Sequence, residues 1–138
     1  MFISNSVEET IAEGRRYGTR AGKGDVLALT GDLGSGKTQF VKGVVAGLES
    51  PANVSSPTFL LIHEYEGGRL PAYHFDFYRV ENPAELLRMG FDEYVFDDGV
   101  TLIEWADRYP DLIPKGATWI SFAIDGRNAR TITESKKP

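Results

Sequence analysis

Gly31-Asp32-Leu33-Gly34-Ser35-Gly36-Lys37-Thr38 reads G-x-x-x-x-G-K-[ST] at every fixed position. Ahead of it, Asp25-Val26-Leu27-Ala28-Leu29-Thr30 is a short apolar run of buried-strand character. Behind it, Gln39 to Leu48 carries apolar residues at helical spacing. Strand, glycine-rich turn and helix in that order make a phosphate cradle. Glycines let the backbone turn tightly and approach a phosphate without a Cβ in the way. The amides point inward, and the helix N-terminus adds partial positive charge. Lys37 is then placed to reach the β- and γ-phosphates, and the Thr38 hydroxyl to bind Mg²⁺. A chance match of the four fixed positions in a chain this short is roughly a one-in-two-hundred event. The stretch is therefore read as a nucleotide-binding loop, with ATP/ADP and Mg²⁺ as the expected ligands.

The remaining composition narrows the class. The chain has 138 residues, 41% of them hydrophobic and 25% charged, which suits one compact domain. No apolar stretch approaches membrane-spanning length, and no signal-peptide pattern opens the chain. There are no cysteines, so disulfides and Cys-based metal sites are excluded. The expected location is cytoplasmic, without a membrane partner. The net charge of −5 argues against direct grip on nucleic acid, which needs clustered Lys and Arg.

Working outward from the loop, Ser6-Val7-Glu8-Glu9 is a capping box that opens a helix through about Arg20, ended by Gly22-Lys23-Gly24. Residues 51–58 form a Pro/Ser-rich loop. Phe59 to Tyr65 and Leu70 to Phe77 read as a hairpin around Glu66-Gly67-Gly68-Arg69. Asn82-Pro83 starts a helix that ends at Met89-Gly90, and Asp92 to Phe96 reads as a second short one. Val100 to Glu104 and Thr118 to Ile124 are strands, and Thr131 to Thr133 a last short one. The expected fold is α/β: a P-loop NTPase-like domain with a mixed, mainly parallel sheet flanked by helices. It spans residues 1–138 as a single domain, with about 126–138 a polar C-terminal tail that frays beyond Thr133.

A Mg²⁺-nucleotide site needs a second metal anchor, usually a carboxylate closing an apolar strand. Glu104 closes Val100–Ile103 and fits best by pattern; Asp76 closes Ala72–Phe75. A hydroxyl of Ser55-Ser56-Pro57-Thr58 could sense a γ-phosphate or simply belong to a turn. His74, Tyr78 and Arg79 cluster around Asp76; His74 could orient a carboxylate or be a satisfied half-buried histidine. Trp105 could cover the nucleotide or fill core.

Taken together, four stretches resemble one family. They are the phosphate loop itself, Val54-Ser55-Ser56-Pro57-Thr58-Phe59, His74-Phe75-Asp76-Phe77-Tyr78-Arg79 and Ile103-Glu104-Trp105-Ala106. Their order and spacing are similar to those of the TsaE (YjeE) family of small bacterial P-loop ATPases. The resemblance covers roughly Ser6 to Ile124. It implies a lid-less P-loop domain that binds and slowly hydrolyses ATP. The family serves threonylcarbamoyladenosine modification of tRNA. It works in a complex with TsaB and TsaD, resetting that complex between turnovers and meeting tRNA only indirectly. It implies Lys37, Asp76 and Thr58 as catalytic residues, with Thr58 and Asp76 beside the γ-phosphate. Thr38 and Glu104 would bind Mg²⁺. Asp32, Leu33, Gly34, Ser35 and Gly36 would line the nucleotide, with the helix start around Ser6 to Thr10, Thr10 included, near adenine, Trp105 nearby and a basic residue from the C-terminal region. Arg130 is the expected basic residue and Arg127 its competitor. One departure stands out: the acidic residue expected shortly after Glu-Trp is shifted or absent, since Ala106-Asp107-Arg108 follows.

Overall fold

The computed structural model describes residues 1–54 and 61–136. Its centre is a seven-stranded sheet in the order β1-β7-β6-β2-β5-β4-β3. The strands are β1 (Phe2–Ser4), β2 (Val26–Gly31), β3 (Ile62–Tyr65), β4 (Ala72–Asp76), β5 (Val100–Glu104), β6 (Thr118–Ile124) and β7 (Arg130–Ser135). β6, β2, β5 and β4 run parallel to one another, while β3 and β7 run antiparallel to their neighbours. The parallel strands read as continuous apolar runs because both of their faces are covered. That matches the expected mainly parallel, mixed sheet.

The faces are covered by different elements. On one side lie α1 (Val7–Arg20) and α2 (Lys37–Gly47). There Phe40, Val41, Val44 and Leu48 pack on Leu27, Leu29, Leu102 and Ile120. On the other side lie α3 (Pro83–Arg88), α4 (Phe91–Val95) and three short 3-10 turns. Phe77, Leu86, Phe91 and Val95 pack there on Val26, Ala28, Phe75 and Ile103. Fully burying one such side chain contributes about 1.5–3 kcal/mol.

Local chemistry sets the helix ends. Ser6 caps α1, its hydroxyl accepting from the Glu9 amide at 3.1 Å, and the Glu9 carboxylate accepts from the Asn5 amide at 2.8 Å. Asn82 caps α3 by accepting from the Ala84 amide, with Pro83 in the first turn. α1 and α2 approach to backbone contact. A Cβ on Gly43 would stand 2.0 Å from the Ile11 carbonyl oxygen, and one on Gly14 would stand 2.1 Å from that of Phe40. This contact carries the first turns of α1 to the start of α2.

Two expectations change at the chain ends. The last strand is Arg130–Ser135, not 131–133, and it pairs with both β6 and β1. Glu134 and Ser135, expected in the frayed end of the polar tail, are therefore sheet. The residues of β7 alternate, with Ile132 buried in the core and Thr133 exposed, so only one side chain in two needs to be apolar. β1 has no counterpart in the sequence reading. No described helix is long and apolar enough to cross a membrane.

Candidate functional site

The carboxyl ends of β2, β4 and β5 meet at one edge of the sheet, where ligands of such folds gather. β2 ends at Gly31, and α2 starts at Lys37 behind Gly36, whose φ of 104° favours glycine. A side chain on Gly31 would also strike the Phe122 carbonyl at 2.6 Å. The turn between presents the unpaired amides of the α2 N-terminus to a cleft of about 610 Å³.

Lys37 is only 4% exposed. Its ammonium donates to the carbonyls of Gly31 and Asp32 and lies 3.4 Å from the Ser35 hydroxyl. It also stands 4.2 Å from the centre of the Trp105 ring, a cation–π contact. Burial pushes its pKa down; the charges of Glu104, Asp107, Asp32 and Asp76 pull it partly back. Asp107, the shifted acidic residue, thus acts on the same lysine. A desolvated cation held by weak carbonyl partners is poised to exchange them for an anion.

Thr38 and Glu104 are brought together. The Thr38 hydroxyl lies 3.0 and 3.1 Å from the two Glu104 oxygens. Glu104 is the last residue of β5, as its place after an apolar run predicts. His74 Nε2 stands 2.6 Å from the same carboxylate. Of the two readings of His74, the one that orients a carboxylate fits, and the residue is fully buried, not half-buried. A hydroxyl and an anionic oxygen side by side beneath a helix N-terminus suit a hard divalent cation that takes its other ligands from phosphate and water.

Asp76, the last residue of β4, pairs in register with Glu104. Its carboxylate accepts from the Tyr78 amide at 2.9 Å and caps the 3-10 turn Phe77–Arg79. Burial pushes its pKa up, the Tyr78 amide draws it back, and Glu104 pushes it up again. Trp105 follows Glu104 with a left-handed φ of 58°. Its ring meets that of Tyr78 at 4.9 Å between centres and forms part of the cleft wall, so it covers the site as well as packing beside the second core.

The remaining candidates fall around the mouth. Leu33 at the loop tip is 86% exposed and lines the cleft with Gly34 and Gly36. Asp32 and Ser35 serve the loop from behind: the Asp32 carbonyl receives the Ser35 amide, and Ser35 is buried. Thr10 is buried at the wall, 2.7 Å from the Ser4 hydroxyl. Arg127 and Arg130 both line the cleft. Arg130 donates to the Gly34 carbonyl at 3.1 Å and to carbonyls of its own turn, so it braces the phosphate loop. Thr58 and the rest of 55–60 lie outside the described residues. Ser6 and Val7, at the helix start expected near the nucleoside, line the cleft with Thr10, while the sequence reading passed over Asn128 at the cleft and Tyr65 behind His74. No pattern signals Tyr65, since its contact depends on strand register.

A glycine loop between a central parallel strand and its helix, with a carboxylate from the adjacent strand beside the loop threonine, defines a P-loop NTPase-like α/β domain. Comparison with known proteins narrows this class. Residues 4–132 match the family described as "Threonylcarbamoyl adenosine biosynthesis protein TsaE". The TsaE protein of Bacillus subtilis is 45% identical over 126 residues, covering 91% of this chain and 78% of that protein. That of Treponema pallidum is 37% identical over 131 residues, covering 95% and 96%. The crystal structure of Bacillus subtilis YdiB superposes with a TM-score of 0.80 at 38% identity, covering 96% of this chain and 82% of that one. The chain belongs to the TsaE family.

Proposed function

We propose that this protein is a Mg²⁺-dependent ATPase that serves tRNA threonylcarbamoyladenosine biosynthesis by acting on a TsaB–TsaD complex. The biosynthetic role is supported by the relatives, which bear the name "tRNA threonylcarbamoyladenosine biosynthesis protein TsaE". The ATPase reading is carried by one observation: Lys37, Thr38 and Glu104 converge at the N-terminus of α2.

In this reading the α2 amides and Lys37 bind the phosphates, and Lys37 gives up the Gly31 and Asp32 carbonyls for phosphate oxygens. Thr38 and Glu104 would hold Mg²⁺, which supplies charge neutralisation to the phosphate oxygens. Asp76 orients the attacking water and accepts its proton, a task favoured by the burial that raises its pKa. The water oxygen bonds to the γ-phosphorus as the bond to the ADP oxygen breaks, and ADP and phosphate leave. Thr58 is proposed as the γ-phosphate sensor on the strength of the resemblance alone. Trp105 shields the phosphate end from solvent, and Thr10 borders the nucleoside end. Arg130 steadies the loop.

ATP turnover measured alone and with TsaB–TsaD tests the proposal. The expected result is slow turnover alone, below the ~1–100 s⁻¹ of kinases, and stimulation by the pair. No turnover in either condition would remove the ATPase reading. Turnover indifferent to the pair would remove the coupling.

A further inference from the structure

We propose that Tyr65 and His74 form a buried positioning pair that fixes the Glu104 carboxylate and thereby sets how tightly the site holds its divalent cation. The proposal rests on the reading of Glu104 as a metal ligand.

His74 lies in mid-strand on β4, fully buried, at a place where an apolar side chain would pack without cost. Its register partner on β5 is Leu102, and Glu104 stands two residues further along the same face. Both ring nitrogens are engaged. Nε2 is 2.6 Å from Glu104 Oε2, and Nδ1 is 3.0 Å from the Tyr65 hydroxyl. Tyr65 reaches in from β3 and also lies 3.3 Å from His63 Nδ1. The contact therefore crosses three adjacent strands and ends on the oxygen that the Thr38 hydroxyl approaches at 3.0 Å.

A metal-binding carboxylate only accepts hydrogen bonds, so Nε2 must carry a proton. A neutral His74 then accepts from Tyr65, and a charged one donates to it. In both cases the ring is held at two ends and cannot turn. The last torsion of a glutamate side chain is otherwise broad. Holding one oxygen by a donor behind it removes that freedom before a cation arrives. Partners of this kind behind a metal ligand typically change affinity by about 10- to 100-fold.

The test measures Mn²⁺ affinity of the ADP-saturated protein by electron paramagnetic resonance, and ADP affinity in EDTA. His74→Phe keeps a ring without donors and should weaken Mn²⁺ by roughly 10- to 100-fold, with ADP affinity in EDTA unchanged. His74→Gln, whose amide can stand in for the Nε2 donor, should recover most of the loss. Tyr65→Phe removes only the hydroxyl and should give a smaller loss of the same kind. Nitrogen NMR of the wild-type imidazole should show a proton on Nε2. Wild-type Mn²⁺ affinity in Tyr65→Phe and in His74→Phe would overturn the proposal. So would an equal loss in EDTA, or a bare Nε2. Should His74→Phe fail to fold, Tyr65→Phe decides, and wild-type Mn²⁺ affinity in that variant would overturn the proposal. Glu104→Gln separates the two layers of the argument. If it weakens Mn²⁺ and the other variants do not, the pair is refuted and the metal reading stands. If it leaves Mn²⁺ affinity intact, the metal reading falls and the pair with it.

Discussion

The Thr38 hydroxyl spans both oxygens of Glu104, at 3.0 and 3.1 Å, across 66 residues of sequence. The contact joins the start of α2 to the end of β5, and it ties together the two protein oxygens that a Mg²⁺ ion would use. Glu104→Ala should therefore weaken ATP binding in Mg²⁺ and leave binding in EDTA nearly unchanged, because Thr38 alone supplies only a neutral oxygen. Titrations in both buffers check this. An equal loss in the two would mean that Glu104 serves the nucleotide or the fold and not the metal.

Asp76→Asn should trade activity for stability. Burial raises the Asp76 pKa above its ordinary 3.8. An acid with a raised folded value contributes most to stability below its ordinary value, and that contribution is lost as pH rises through the folded one. The asparagine cannot ionise and can still accept from the Tyr78 amide. It should melt above wild type at neutral pH, with the gap closing as pH falls through the carboxylate range. ATP turnover should drop. Thermal melts against pH and turnover assays check both halves.

Gly43→Ala should destabilise the protein by about 1–3 kcal/mol through overpacking. Alanine favours a helix over glycine by about 1 kcal/mol, so an isolated helix would gain. Here the new Cβ would meet the Ile11 carbonyl at 2.0 Å and the Arg15 amide at 2.7 Å, both backbone atoms that cannot step aside. A denaturant midpoint at or above wild type would show that the two helices part at little cost.

Most of the frame was legible because its signals are local. β5 ends where an apolar run meets Glu104, α1 begins at a capping serine, and the phosphate loop carries its own pattern. What stayed hidden depends on partners far along the chain. β1 exists because Phe2–Ser4 finds Arg130–Ile132, a pairing between chain ends with no local trace, and the full length of β7 comes from its register with Trp119–Ile124 of β6. Gly14 and Gly43 read as weak helix residues until the two helices are seen face to face. Asp76 and Glu104 could each be named from strand ends, but their pairing, and the approach of His74 and Tyr65, follow from register. Arg130, expected from the resemblance near the nucleotide, lines the cleft, but its bonds to Gly34 and its own turn have no trace in the sequence.

Arg130→Ala should accordingly loosen the phosphate loop. A charge-assisted bond to Gly34 is lost, which corresponds to a fall in ATP affinity of roughly 10-fold. Arg130→Lys should restore little, because one ammonium cannot satisfy several carbonyls in the fork geometry of a guanidinium. Calorimetric titration of both variants checks this. Full rescue by lysine would assign Arg130 a simple charge role.

The proposed function requires that the loop from Gly31 to Thr38 bind nucleotide with Lys37 as its phosphate anchor. The most direct measurement is ATP binding and hydrolysis by wild type and Lys37→Ala, alongside their thermal melts. Lys37 is buried at an energetic cost, so its removal should leave the fold intact. Wild type should bind and slowly hydrolyse ATP, while Lys37→Ala should melt as a folded protein and do neither. A folded Lys37→Ala variant that hydrolyses ATP like wild type, or a wild type that binds no ATP, would contradict the account.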